Sequence, residues 1–226
     1  YKFKTLCSFT YWMYINFHTH RATSECEMEI VQVFNSETIK NLKCFSFGLL
    51  PEYVSEEPHW MQWEHVIASK HCVAVGECGI DKRVSADLNL QIGFFSKWID
   101  LAMGAQKPLI IHCVRAFNEV INVLQDKQFN FPVIFHGFNN SPSTAELIAS
   151  KGYCLSFGKA LLGYDSPASH SICKIPKSQL FLETDAADIS IKYIYHKASR
   201  LLGVDEAALK TQIQNNVQRV FKLKEL

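Results

Sequence analysis

Residues of the types that bind divalent metal ions recur directly after short apolar runs of this chain. The run at residues 14–17 is followed by His18 and His20, and the run at residues 73–76 is followed by Glu77. Imidazole and carboxylate ligands together suit zinc, manganese or a related divalent ion. Further runs end in the same way, which gives a set of six candidate ligands: His18, His20, Glu77, His112, His136 and Asp185.

The spacing of these ligands predicts a hydrolytic metal site. In extended chain, side chains two residues apart point to the same side, so His18 and His20 can face one ion together. Six ligands are enough for two ions if Glu77 bridges them. Two ions about 3.5 to 4 Å apart can polarise a phosphoryl oxygen and turn a shared water into hydroxide near neutral pH. The set therefore indicates metal-dependent hydrolysis with water as the nucleophile.

Eight apolar runs of strand length lie along the chain, five of them directly before candidate ligands. Such runs are typical of strands buried on both faces, as in a parallel sheet covered by helices. The carboxyl ends of the strands of a parallel barrel meet at one rim, where polar residues from different strands converge. We therefore expect an α/β fold of the TIM-type (β/α)8 barrel class, with strands at residues 14–17, 30–34, 45–49, 72–76, 109–111, 132–135, 153–157 and 179–182.

Helical patterns fill most of the gaps between these runs, at residues 58–70, 85–102, 116–127, 142–151, 191–202 and 206–224. Ser85 is the expected cap of the second helix, and Gly104 lies just beyond its expected end. Only about a dozen residues separate the first two runs, which is the lower limit for a helical crossover. The first crossover is therefore expected to be an irregular loop, which leaves the first βα unit incomplete.

The domain organisation predicted from the sequence is simple. No linker or repeat marks a second domain, so residues 13–226 are expected to form a single metal-dependent hydrolase barrel. Residues 1–12 are expected to be an upstream extension, because translation starting at Met13 would place the first strand at once.

Composition limits the partners of the protein. The 226 residues include 23 basic and 22 acidic side chains, so any binding of phosphate must be local. Eight cysteines without a CxxC pair favour free thiols in a reducing cytoplasm. No apolar stretch approaches the roughly 20 residues that cross a bilayer. We expect a cytoplasmic protein, and the sequence indicates neither a membrane nor a stable protein partner.

Several short motifs follow one another in a fixed order. They are His18-Thr-His20, Val75-Gly-Glu-Cys-Gly-Ile-Asp81, Lys107-Pro-Leu-Ile-Ile-His112, His136-Gly-Phe138, Leu182-Glu-Thr-Asp185 and a closing segment from Asn216 to Phe221. This series resembles the TatD family of metal-dependent deoxyribonucleases, within the amidohydrolase-like barrels. The resemblance implies a phosphodiesterase that hydrolyses DNA, as an exonuclease on single-strand ends, with two divalent ions. Zinc, manganese and magnesium all remain open as the metal.

The resemblance also implies roles for the ligands. One ion is expected on His18, His20, Glu77 and Asp185, and the second on Glu77, His112 and His136. Glu77 and Asp185 are the expected catalytic residues. Asp185 is also expected to orient or deprotonate the attacking water.

Substrate contacts are expected from residues that follow the strand ends. Lys82, Arg115 and Lys159 are expected to bind phosphates as charge-assisted donors. Phe117, Phe138 and Tyr164 are candidates for stacking on a nucleobase, with core packing the favoured role of Phe117.

The chain departs from the family pattern at two of these contacts. Leu50 stands where the family has the histidine of a Gly-x-His-Pro segment. Arg115 lies three residues after His112, whereas the arginine of the family lies two residues after that histidine. These departures concern the substrate, because all six metal ligands remain.

Two alternatives stay open from the sequence. The first is a metal-dependent hydrolase of another ester, an amide or a lactone, because the mouth of this barrel serves many chemistries. The second is a non-catalytic metal-binding protein, which Leu50 and the short first crossover would suit.

Overall fold

Eight parallel strands form one sheet whose order follows the chain from the first strand to the last. The computed structural model describes residues 13–23, 26–39, 41–54 and 59–222, so the upstream extension expected at residues 1–12 lies outside the described residues. The strands are β1 Ile15–Thr19, β2 Met28–Val33, β3 Phe45–Phe47, β4 Cys72–Asp81, β5 Leu109–Val114, β6 Val133–Phe135, β7 Cys154–Phe157 and β8 Leu180–Leu182.

The first and last strands meet at the mouth of the barrel. The backbone N–H of Asp185 donates to the carbonyl of His18 at 3.0 Å, and the N–H of His20 donates to the carbonyl of Asp185 at 3.2 Å. Thr19 and Asp185 form a parallel bridge. These bonds bring the two sheet edges together, so the predicted TIM-type barrel is confirmed as a nearly closed one.

Helices alternate with the strands over most of the chain. They are α1 Trp60–Ile67, α2 Leu88–Ala105, α3 Phe117–Asp126, α4 Pro142–Ser150, α5 Pro167–Ser171, α6 Ile191–Leu202 and α7 Glu206–Phe221. Between β1 and β2 the described residues form no helix, which agrees with the irregular first crossover predicted from its length. No helix among the described residues is long and apolar enough to cross a membrane.

Two predicted ends of α2 are wrong. The helix begins at Leu88, because the carboxylate of Asp87 accepts hydrogen bonds from two backbone N–H groups of the first turn and takes the cap position expected for Ser85. Gly104 lies inside the helix, which ends where Gln106 adopts a left-handed conformation with φ 55°.

The strand β4 is longer than predicted. The sequence favoured an end at Gly76, but the strand continues to Asp81. Gly76 and Gly79 have φ of +132° and +151°, and a Cβ placed on Gly79 would lie 1.9 Å from the carbonyl oxygen of His112. Glycine therefore allows β4 to approach β5 closely, and Glu77 lies within this strand rather than beyond its end.

Side-chain alternation in β1 explains how one short strand serves both the core and the site. Phe17 points outward and packs against Phe181 and Phe221, with ring centroids 4.8 and 5.9 Å away. Asn16 and His18 therefore point to the opposite face, into the barrel. The outward face of β1 packs against the outer helix α7 through Phe17. The inward face contributes polar side chains to the mouth of the barrel.

Candidate metal centre

The carboxylate of Glu77 lies among four imidazole rings at the mouth of the barrel. Its Oε1 is 3.1 Å from His18 Nε2 and 3.0 Å from His20 Nε2. Its Oε2 is 3.2 Å from His112 Nδ1 and 2.8 Å from His136 Nε2. Each oxygen of one carboxylate thus faces its own pair of histidines.

Asp185 completes the Oε1 side of this cluster. Its Oδ1 is 3.2 Å from His20 Nε2 and 3.7 Å from His18 Nε2. The backbone of Asp185 is left-handed, with φ 55°, and it carries the hydrogen bonds that join β1 to the end of β8. The structure therefore brings together all six residues that the sequence predicted as ligands.

The donor set of this cluster fits divalent metal ions. One possible ligand atom from each of His18, Glu77, His136 and Asp185 lies within 4.8 Å of the others. Imidazole nitrogen and carboxylate oxygen are the ligands that zinc, manganese and related ions share. The Glu77 side chain is only 2% exposed, and a carboxylate buried to that extent needs cationic partners.

Interactions between opposite charges lower the pKa of Glu77 and raise the pKa of His20. Burial acts to raise the pKa of Glu77, but the positive charge of His136 and hydrogen bonds from the histidines hold it well below its usual range. Burial acts to lower the pKa of His20, but hydrogen bonds to Asp185 and Glu77 raise it to about 9. The carboxylates raise the pKa of His136 as well as that of His20, so an ion that binds these two imidazoles must displace protons from them.

A second carboxylate, Asp81, supports the outer edge of His112. Its Oδ2 is 3.1 Å from His112 Nε2, while Arg83 donates to both of its oxygens at 3.1 and 2.8 Å. Burial acts to raise the pKa of Asp81, but hydrogen bonds from Arg83 and His112 lower it to about 2. An ionised carboxylate at this position can accept the Nε2 proton of His112, which would leave Nδ1 available to an ion held beside Glu77.

We expect Asp81→Asn to weaken metal binding roughly 10- to 100-fold, because partners of this kind hold a ligating histidine in its tautomer and orientation. An asparagine amide that donates to Nε2 would move the imidazole proton to Nδ1, where it would block an ion. Zinc titration of the two purified proteins measures the effect. Asp100→Asn is the matched control, since Asp100 is an exposed residue paired with Lys127. Equal zinc affinity for wild type and Asp81→Asn would contradict this role.

Buried polar side chains fix the backbone around the cluster. The Oε1 of Gln32 accepts hydrogen bonds from the backbone N–H of Glu77 at 2.6 Å and from Ser46 Oγ at 2.7 Å. Asn16 accepts from the backbone N–H of Thr184 at 3.0 Å and donates to its hydroxyl at 2.8 Å. These contacts connect β2, β3 and β4 on one side of the mouth and β1 and β8 on the other.

Glu183, the residue that follows β8 in the chain, also contributes to the mouth of the barrel. It is fully buried, it accepts a hydrogen bond from the backbone N–H of Gly137, and its Oε1 is 3.8 Å from His136 Nδ1. The sequence motifs did not predict the supporting roles of Gln32, Asp81 and Glu183. A signal existed for each of them, because a polar side chain within or at the end of an apolar strand must have a partner.

A cavity of about 460 Å³ opens beside the cluster. Its lining includes Arg83, Arg115, Asn139 and Asn140, together with His112, His136 and Asp185. Arg115 is exposed there and has a left-handed backbone, with φ 56°. The backbone turn after β5 therefore places a guanidinium next to the metal ligands.

The other residues predicted to contact substrate have different surroundings. Lys159 lines a neighbouring cavity of about 400 Å³ with Glu183 and Asp185. Lys82 forms an ion pair with Glu119. Phe138 is 3% exposed and packs against other phenylalanines, so its ring is unavailable for stacking, whereas Tyr164 is fully exposed.

A buried carboxylate faced by four imidazoles at the mouth of a parallel barrel is the arrangement typical of metal-dependent hydrolases. More specifically, the chain belongs to the TatD related DNase family, whose sequence model matches residues 18–222. The family resemblance drawn from the sequence motifs is thereby confirmed.

Individual relatives agree with this family. The 3'-5' ssDNA/RNA exonuclease TatD of Edwardsiella piscicida is 27% identical over 184 residues, which cover 71% of this chain and 70% of that protein. An uncharacterized metal-dependent hydrolase of Mycobacterium tuberculosis is 33% identical over 130 residues, or 54% of this chain and 49% of that protein. The chain spans between about half and two thirds of the length of several curated relatives it matches.

Solved structures show the same fold. A TatD homologue from Escherichia coli superimposes with a TM-score of 0.74 at 20% identity, over 86% of each chain. A TatD family hydrolase from Entamoeba histolytica also gives a TM-score of 0.74, at 13% identity, over 85% of this chain and 83% of that one.

Proposed function

We propose that this protein is a divalent-metal-dependent phosphodiesterase of the TatD type that hydrolyses DNA from single-strand ends. The observation that carries the proposal is the division of the cluster, in which each oxygen of Glu77 faces a separate pair of histidines. A carboxylate in that position suits a bridge between two ions. The printed name of the Edwardsiella piscicida relative, a 3'-5' ssDNA/RNA exonuclease, supports nucleic acid as the substrate.

Each residue of the cluster has a part in this proposal. His18, His20, Glu77 and Asp185 would hold one ion, and Glu77, His112 and His136 the other. When bound, such ions supply Lewis acidity toward a phosphoryl oxygen and activate water near neutral pH. Asp185, whose side chain is 41% exposed at the mouth, would orient the attacking water and accept its proton.

Cations around the mouth are the proposed contacts for the phosphates of the substrate. The exposed Arg115 lines the cavity beside His112 and His136, and a guanidinium binds a phosphate with two parallel hydrogen bonds. Lys159 lies on the other side of Asp185. The scissile phosphate would then lie between these two positive charges and above the ligands.

We expect Arg115→Ala to raise KM for single-stranded DNA roughly 10- to 100-fold, because a hydrogen bond to a charged group contributes about 1.5 to 3 kcal/mol. Steady-state kinetics on one labelled oligonucleotide measures the effect. Lys82→Ala removes the same charge but from a side chain that already pairs with Glu119, so a smaller change is expected. A larger rise in KM for Lys82→Ala than for Arg115→Ala would contradict this prediction and would indicate Lys82 as the more important phosphate contact.

The direct test of the proposed function uses single-stranded DNA labelled at its 5' or its 3' end. Metal-stripped protein is assayed alone and after addition of magnesium, manganese or zinc, with Glu77→Ala as the inactive control. Metal-dependent shortening that the variant lacks is the expected result, and the two labels give the polarity of hydrolysis.

Two other results would reject the proposal in distinct ways. Turnover of a neutral ester or a lactone, with DNA left intact, would identify a hydrolase of another class. Stoichiometric zinc without turnover of any of these substrates would indicate a metal-binding protein without catalysis.

A further inference from the structure

Three aromatic rings form a row that leads outward from the metal cluster. They come from the segments that follow β1, β2 and β3, which end at neighbouring points of the mouth. The ring of Phe34 lies edge-on to His20, with centroids 5.4 Å apart, and the ring of Tyr53 lies 6.4 Å beyond Phe34. The row therefore starts at a proposed metal ligand and ends at the surface.

Solvent exposure of the side chains in this row is greatest at its outer end, away from the metal cluster. His20 is 24% exposed in its side chain, Phe34 is half-buried, and Tyr53 is 57% exposed. A large aromatic ring that serves only packing is normally buried over most of its surface. Tyr53 instead is more than half exposed within two ring contacts of the cluster.

Charge around the mouth separates this row from the phosphate contacts. Glu52, which is exposed directly beside Tyr53, disfavours a phosphate at that position. The half-buried Leu50 on the same segment adds apolar surface. Arg83 and Arg115 lie in the cavity formed after β4 and β5. The aromatic and apolar side chains on the β2 and β3 side of the mouth therefore suit a neutral aromatic group.

We propose that Phe34 and Tyr53 form a stacking subsite for the nucleobase next to the phosphate that is hydrolysed. This inference rests on the proposed function, since it requires a single-stranded nucleic acid at the cluster. Stacking on an aromatic side chain contributes about 1 to 3 kcal/mol per base and tolerates every sequence. Stacking on Tyr53 would add a contact to the base beside the contacts that Arg115 and Lys159 are proposed to make with phosphates.

The test compares two oligonucleotides that differ only in the nucleoside beside the scissile phosphate, which is either a normal thymidine or an abasic analogue. Wild type is expected to prefer the normal substrate about tenfold in kcat/KM, as stacking of this strength implies. Tyr53→Ala is expected to bring that ratio close to one, and Tyr53→Phe to keep it. Tyr193→Ala is the matched control, because Tyr193 is a 65% exposed tyrosine on the outer helix α6.

The outcomes separate this inference from the proposed function. An unchanged preference in Tyr53→Ala, or no preference in wild type, would overturn the stacking subsite and leave the nuclease intact. A wild type that hydrolyses neither oligonucleotide would reject both. Circular dichroism of each variant verifies that Tyr53→Ala is folded, which the exposure of this side chain leads us to expect.

Discussion

Glu77→Gln is expected to lower metal-dependent hydrolysis by at least about 10³-fold while the barrel stays folded. The amide keeps the size of the side chain, and the hydrogen bond from the backbone N–H of residue 77 to Gln32 Oε1 stays in place. It removes the negative charge and one of the two oxygens that face the histidine pairs. Metal ions contribute several kcal/mol to stabilisation of a transition state, and each 1.36 kcal/mol is a factor of ten in rate.

Two measurements check this prediction. Elemental analysis of the purified variant should show loss of bound divalent metal, and kcat/KM on single-stranded DNA should fall together with it. Glu146→Gln, on the exposed face of α4, is the control for the same change of charge and should match wild type in both. A Glu77→Gln protein that keeps its metal and its activity would exclude Glu77 as the bridging ligand.

Gly79→Ala is expected to lower the free energy of unfolding by about 3 kcal/mol or more, which lowers Tm by roughly 10 °C in a chain of this length. A methyl group at this position would lie 1.9 Å from the carbonyl oxygen of His112, and the φ of +151° is unfavourable for alanine. The atom that would be displaced belongs to backbone, so the clash cannot be relieved by rotation of a side chain. Thermal unfolding followed by circular dichroism measures the loss.

Gly93→Ala gives the opposite result from the same chemical change. Gly93 lies on the exposed side of the helix α2, and nothing within 4 Å meets an added Cβ there. Alanine is favoured over glycine inside a helix by up to about 1 kcal/mol, so Tm should rise by about 2 to 4 °C. Similar Tm values for the two variants would show that β4 does not need glycine at position 79.

The ligand set could be predicted from the sequence because strand geometry decides which residues meet. In a parallel barrel all strands end at the same rim, so His18, Glu77 and His136 converge although 59 residues separate each from the next along the chain. The mouth also departs from the sequence expectation in one respect. Glycines that seemed to mark the end of a strand at Gly76 instead let β4 continue beside β5.

Supporting contacts were harder to predict because they depend on tertiary packing. Whether Asp81 reaches His112 depends on the full length of β4, and the row from His20 to Tyr53 depends on the short 3-10 turn Pro51–Tyr53. Choosing between Ser85 and Asp87 as the cap of α2 needed the position of the first helical turn, since both residue types cap helices well.

The hydrogen bonds between Asp185 and β1 make barrel closure and metal affinity parts of one equilibrium. The backbone of Asp185 joins the first and last strands, while its carboxylate faces His18 and His20. Whatever binds that carboxylate in the folded state also favours the closed seam, by mass action. We therefore expect the affinity for an ion at the proposed site to include the free energy of keeping these hydrogen bonds formed. A substitution at Asn16 or Thr184, which are not candidate ligands, is then expected to weaken ion binding by loosening the contact between β1 and the end of β8.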